Sequence, residues 1–104
     1  MSRKTDYTNQ AQQRLLRVIL ALFSDVVNGL TVTQVAKAAD CSAPNAIRDL
    51  DNLRTAGFAE RDEEAGVWRL TARLPQQAIK VWTSIDRAER RLADARARFS
   101  RNAD

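Results

Sequence analysis

Histidine is absent from the 104 residues. That removes the commonest general base, the commonest metal ligand and every Ser-His or Cys-His nucleophile. A single cysteine, Cys41, excludes an internal disulfide and a cysteine-rich zinc site. The only glycines, Gly29, Gly57 and Gly66, are too scattered for a G-x-x-x-x-G-K-[ST] or G-x-G-x-x-G phosphate loop. No apolar run approaches the roughly 20 residues of a membrane span. The first residues, "MSRKTDYTNQAQQ", lack the apolar core of a secretory signal. Asp49 and Asp51 lie two apart and would point to different faces of a helix, and Glu63 and Glu64 fall in an expected turn. The expectation is a cytoplasmic protein, not an enzyme, with no metal, no cofactor and no membrane partner.

What is present is charge, unevenly spread. The net charge is +4 and the isoelectric point is near 10.0, which permits a polyanionic partner. Residues 1–39 hold five cations against two acids, residues 40–66 three against seven, and residues 67–104 nine against four. This asymmetry says more than the total. The length fits one domain with an appended helix, able to bury a working but modest core.

From Asn9 to Asn28, Leu15, Ile19, Leu22 and Val26 recur at helical spacing, and Leu16, Leu20, Phe23 and Val27 follow one residue later. Two adjacent rows make one wide apolar face. Such a face suits a central core helix, or one whose excess covers a partner subunit. Asn28-Gly29 is expected to close it. Thr31 and Gln34 have capping-box spacing, Leu30 and Val35 can form its hydrophobic staple, and a short helix should run from Val32 to Ala39 with Val35, Ala36 and Ala39 inward. Ser42 caps the next helix and Pro44 sits in its first turn. Cys41 should pack against Ala46 as a small hydrophobe rather than a reactive thiol. Ala46, Ile47, Leu50 and Leu53 form the expected inward stripe, and Gly57 ends the helix. Two helices joined by "ADCS" are a helix-turn-helix.

"FAERD" and "VWRL" can pair as strands across "EEAG", with Gly66 where positive φ is needed. Phe58 and Leu70 would cover the core, and Trp68 is either a lid on it or a partner-contacting aromatic. Pro75 marks a last helix. To about Ser100, Ala78, Val81, Ile85, Ala88, Leu92, Ala95 and Phe99 alternate spacings of three and four, an a/d seam over three heptads. Its outer positions are rich in arginine and acid. A lone helix would expose Leu92 and Phe99, so it must pack against the first helix or a second chain. The fold expected is mainly α with a small β-hairpin. Residues 1–8 form a flexible start, 9–74 a winged helix-turn-helix, and 75–104 a dimerisation helix using Val81, Ile85, Ala88, Leu92, Ala95 and Phe99.

Gln13 to Leu74 resembles the N-terminal winged-helix domain of IclR-type transcriptional regulators. "RLLRVILAL" is similar to that family's first helix and "LTVTQVAKAADCS" to its "LTLTELA-x-x-x-GLS" segment. "AIRDLDNLRTAGFAERDEEAGVWRL" is similar to its recognition helix and wing, ending in "G-x-Y-x-L". By position, Ser42 matches the serine capping the recognition helix, and Arg48 the arginine before its paired leucines. Three departures stand out: Ala43 for a frequent cation, Asp49 for the first leucine, and Val67 for a basic wing residue. The family's large effector domain has no counterpart in the roughly 25-residue helix that follows, so the resemblance implies no small-molecule inducer.

The resemblance implies a sequence-specific regulator, bacterial or phage, binding double-stranded DNA, and the C-terminal seam is expected to make it a homodimer. Asn45, Arg48 and Asn52 share one helix face and would read bases, since Arg bonds guanine and Asn adenine bidentately. Equally open are a solvated face for the two asparagines and a salt bridge from Arg48 to Asp51. Phosphate contacts would come from Arg3, Lys4, Arg14, Arg17, Lys37, Arg69 and Arg73. Two other readings remain: an interaction module whose acidic 40–66 segment docks a basic protein, and an acidic DNA mimic, which the overall positive charge opposes.

Overall fold

The computed structural model describes residues 5–101, which divide after Thr71 into two compact units. In the first, Asn9 opens α1 (Gln10–Leu22), its side chain accepting the Gln12 N–H at 3.0 Å. The apolar periodicity continues beyond Leu22, but the helix does not reach Asn28. The Phe23 N–H turns to Leu20 O at 3.2 Å, and both Ser24 N–H and Ser24 Oγ bond Ala21 O. Tightened i→i+3 bonds of this kind finish a helix. Asp25 then accepts the Asn28 N–H at 2.9 Å, fixing the turn that follows.

Gly29 therefore does a different job from the expected helix stop. It adopts φ 77°, and a Cβ there would lie 2.7 Å from both Trp68 O and Arg69 Cγ. Its bareness lets Leu30 bridge Trp68 antiparallel, with N···O distances of 2.9 and 2.7 Å. Gly29→Ala should cost about 2 kcal/mol through backbone strain and that contact. Urea unfolding checks this; an unchanged midpoint contradicts it.

The next elements follow the local signals. Thr31 and Gln34 form the reciprocal capping box that starts α2 (Val32–Ala39). Asp40 takes a left-handed conformation, φ 53°, and Cys41 N–H closes back on Ala36 O at 3.0 Å, making the tight turn. Ser42 caps α3 (Ala43–Thr55) by accepting the Asn45 N–H at 3.2 Å. The antiparallel strands β1 (Ala59–Asp62) and β2 (Val67–Leu70) pair in the register Ala59–Leu70 to Asp62–Val67, with Gly66 at φ 67° in the turn.

Val18, Leu22, Val35 and Leu50 are fully buried and centre the core, which Trp68 and Leu70 cover. Trp68 is thus the lid. Two expected core assignments fail. The second α1 row stays outside, with Leu20 69% and Val27 76% exposed, while Val18 is inside. On α3, Ile47 is 49% exposed and Asp49 takes the inward position at 5%.

The second unit is α4 (Arg73–Arg101), which begins two residues before Pro75 and carries that proline in its first turn. None of its described residues is buried. The architecture is a winged helix-turn-helix followed by a long C-terminal helix. No helix of the described residues is long and apolar enough to cross a membrane, and no group of three or more His, Cys, Asp or Glu among them could hold a metal.

Candidate nucleic-acid interface

Burying Ala46, Asp49, Leu50 and Leu53 turns the opposite side of α3 outward. Arg48 and Asn52 lie exposed on it, with Asn45 half-buried beside them. The suggested Arg48–Asp51 bridge does not form: Asp51 pairs with Arg54 at 2.6 Å. Arg48 has no ion pair among the described residues, and its side chain borders two recesses. One, about 610 Å³, lies between α3 and the hairpin; the other, about 330 Å³, lies between α1 and α3. Asn52 donates its amide N–H to Arg48 O at 2.8 Å. Bidentate reading of adenine by Asn52 therefore requires that bond to be shared or released. Ser42 acts through its cap, which sets where α3 begins.

Four of the seven acids between Asp40 and Gly66 are ion-paired within the fold. Asp49 accepts two bonds from Arg14, 2.7 Å from Nε and 3.0 Å from Nη2. The carboxylate at position 49 can be buried because α1 supplies its counter-charge. The same carboxylate pushes the Arg14 guanidinium above its ordinary pKa. In the wing, Arg69 meets Asp62 at 3.3 Å and Glu60 at 3.9 Å. Only Asp40, Glu63 and Glu64 of the seven acids are left without an ion pair among the described residues.

The same pairing removes expected phosphate contacts. Arg14 and Arg69 are neutralised, the second with its side chain only 27% exposed. Arg17 donates Nε–H to Ala39 O at 2.8 Å, tying α1 to the end of α2, although it remains exposed. Lys37 is exposed on α2 without an ion pair among the described residues. Arg73 is the first residue of α4, in the other unit. Arg3 and Lys4 lie outside the described residues. One cation was missed: Arg61, exposed, without an ion pair among the described residues, and lining the α3–hairpin recess with Arg48. The hairpin register that sets it opposite Trp68 was the signal that could have found it.

The wing turn is pinned by Asp62, which accepts the Ala65 N–H at 3.1 Å. That bond first, and Arg69 second, hold the Asp62 carboxyl below its ordinary 3.8. A depressed folded-state pKa means a contribution present above 3.8 and lost as pH falls through the lower folded value. The Ala65 amide resonance should therefore shift with a midpoint below 3.8 in an NMR titration. A midpoint at or above 3.8 contradicts the pinned turn.

No protein-family model matches the chain, and no curated protein matches it. Among solved structures, the chain is similar to a point mutant of S. aureus MepR, with TM-score 0.50 and 22% identity over 84% of this chain and 65% of that one. It also matches an O-methyltransferase from neocarzinostatin biosynthesis, NcsB1 in complex with S-adenosyl-L-homocysteine. That match has TM-score 0.42 and 28% identity, over 62% of this chain and 22% of that one. The chain thus spans less than two thirds of either protein. The MepR likeness bears on the winged-helix fold and does not single out the IclR-type family.

Proposed function

We propose that the protein binds double-stranded DNA as a small transcriptional regulator, bacterial or phage, whose α3 enters the major groove. The observation that carries this reading is Arg48: exposed on the outward face of α3, without an ion pair among the described residues, between two recesses and near Arg61 of the wing. The IclR-type resemblance of residues 13–74 supports a regulatory role. Neither catalysis, a cofactor nor a small-molecule effector belongs to the reading. The exposed seam of α4 supports a homodimer, which would present two α3 helices to successive half-sites.

Arg48→Ala should weaken a specific site by about 1–3 kcal/mol and relax one base position. Glu63→Gln with Glu64→Gln should tighten DNA binding by reducing repulsion near phosphates, while changing stability by about half a kcal/mol or less. Arg69→Ala, in contrast, should loosen the wing without the unit drop in salt slope that a lost phosphate contact produces. Fluorescence anisotropy with labelled duplexes, beside urea unfolding, checks all three; equal affinity of Arg48→Ala and wild type for every duplex tested contradicts the assignment.

A second reading has its own observation. Among the described residues the winged-helix unit holds seven Lys/Arg against nine Asp/Glu. A net acidic surface suits a protein-interaction module docking a basic partner. That module would have negligible duplex affinity at any salt and would lose its partner when Glu63 and Glu64 are neutralised.

A further inference from the structure

Most of the positive charge without an ion pair among the described residues lies on α4. Against the acidic balance of the first unit, residues 72–101 carry eight Lys/Arg and three Asp/Glu. Ion pairing sharpens the contrast. Arg14, Arg54 and Arg69 of the winged-helix unit are paired, whereas Lys80, Arg87, Arg90, Arg91, Arg98 and Arg101 have no carboxylate within ion-pair distance among the described residues.

These cations have an arrangement. Lys80, Arg87, Arg91, Arg98 and Arg101 follow one another at steps of seven, four, seven and three, so they share a helix face. At about 1.5 Å per residue that face runs roughly 32 Å, and Asp94 is the acid that interrupts it. It is a different stripe from Val81, Ile85, Leu92 and Phe99, so covering the apolar seam leaves the cations outward. Near its middle, Ser84, Arg87, Arg90 and Arg91 line an open recess of about 390 Å³. Guanidinium groups donate paired N–H bonds in a fork that fits phosphate oxygens, and a serine hydroxyl can donate another.

We propose that this face of α4, centred on Ser84, Arg87, Arg90 and Arg91, is a second DNA surface that holds backbone phosphates without reading bases. It supplies the sequence-independent affinity that the winged-helix unit, with Arg14 and Arg69 neutralised internally, is poorly charged to give. A row of cations over some 30 Å fits the continuous charge of a duplex better than an isolated acidic patch. The inference rests on the DNA-binding reading but is separable from it: α3 chooses the site, and α4 sets the salt-dependent affinity for any site.

The test compares wild type with the triple variants Arg87→Gln/Arg90→Gln/Arg91→Gln and Arg87→Lys/Arg90→Lys/Arg91→Lys on a random-sequence duplex over a range of salt. Each lost phosphate contact lowers the salt slope by about 0.9. The Gln variant should lose about two to three units of slope and on the order of a hundredfold in affinity near 0.1 M salt. The Lys variant should keep most of the slope, and sedimentation and thermal unfolding should be unchanged in both. An unaltered slope in the Gln variant overturns the α4 surface while leaving DNA reading through α3 intact. Equal loss in the Lys variant, or a changed assembly state, also overturns it, because the arginines would then be structural. No duplex binding by wild type removes both readings together. Capture instead by phosphatidylserine vesicles or by an acidic polypeptide would assign the face to those partners.

Discussion

Replacing Asp49 with alanine should destabilise the fold by about 3 kcal/mol, the low end of what breaking a buried ion pair costs. Asp49 is 5% exposed, and its carboxylate is held by two short bonds from Arg14. The variant leaves the Arg14 guanidinium without its counter-charge, with its side chain only 19% exposed. Partial access to water places the effect at the lower end. Arg14→Met with Asp49→Leu removes both charges and places an apolar residue at position 49. That double variant should unfold near the wild-type midpoint or above it, because well-packed apolar residues often equal a buried pair. Urea unfolding of Arg14→Met, of Asp49→Leu and of the double variant gives the coupling directly. Additive losses contradict the pairing.

Leu92→Asp should abolish self-association. Leu92 lies in the a/d seam and is 55% exposed in a single chain. In a paired seam an unpartnered carboxylate costs on the order of several kcal/mol. Sedimentation should give a dimer for wild type at tens of micromolar and a monomer for the variant. Unfolding of the winged-helix unit should be unaffected when both are measured as monomers, since α4 has no buried residue among those described. A monomeric wild type at that concentration contradicts the proposed dimer.

Some parts of the molecule are legible from sequence and others are not. The capping box at Thr31 and Gln34, the Ser42 cap and the hairpin around Gly66 are local devices, decided by residues three or four apart. All three stand where their residue types place them. The end of α1 is also local, yet apolar periodicity hides it: Phe23, Val26 and Val27 continue the pattern past the point where Ser24 and Asp25 stop the helix. Asp49 shows a different limit. Helical spacing favours Ile47 for the core, and only a cation 35 positions away makes a buried aspartate tenable. That pairing is tertiary, so spacing cannot reveal it, although the departure from leucine marks the position as unusual.

The candidate interface divides along the same line. Arg48 and Asn52 share an exposed face because helix geometry alone dictates it. The fate of the other cations depends on partners: Arg14 meets Asp49 across the fold, and Arg69 meets Glu60 through the strand register. A count of charges along the chain treats these residues as available to phosphate. In the folded unit, the same pairing that neutralises four of the acids also engages Arg14, Arg54 and Arg69.

Fluorescence anisotropy of wild type against a broad pool of labelled duplexes, at low and at raised salt, decides whether the protein binds duplex DNA. Binding at low salt should weaken linearly in log-log terms as salt rises, with a tighter subset of sequences that Arg48→Ala no longer distinguishes. No binding to any duplex at low salt would rule out the DNA-binding reading, and the interaction module would take its place.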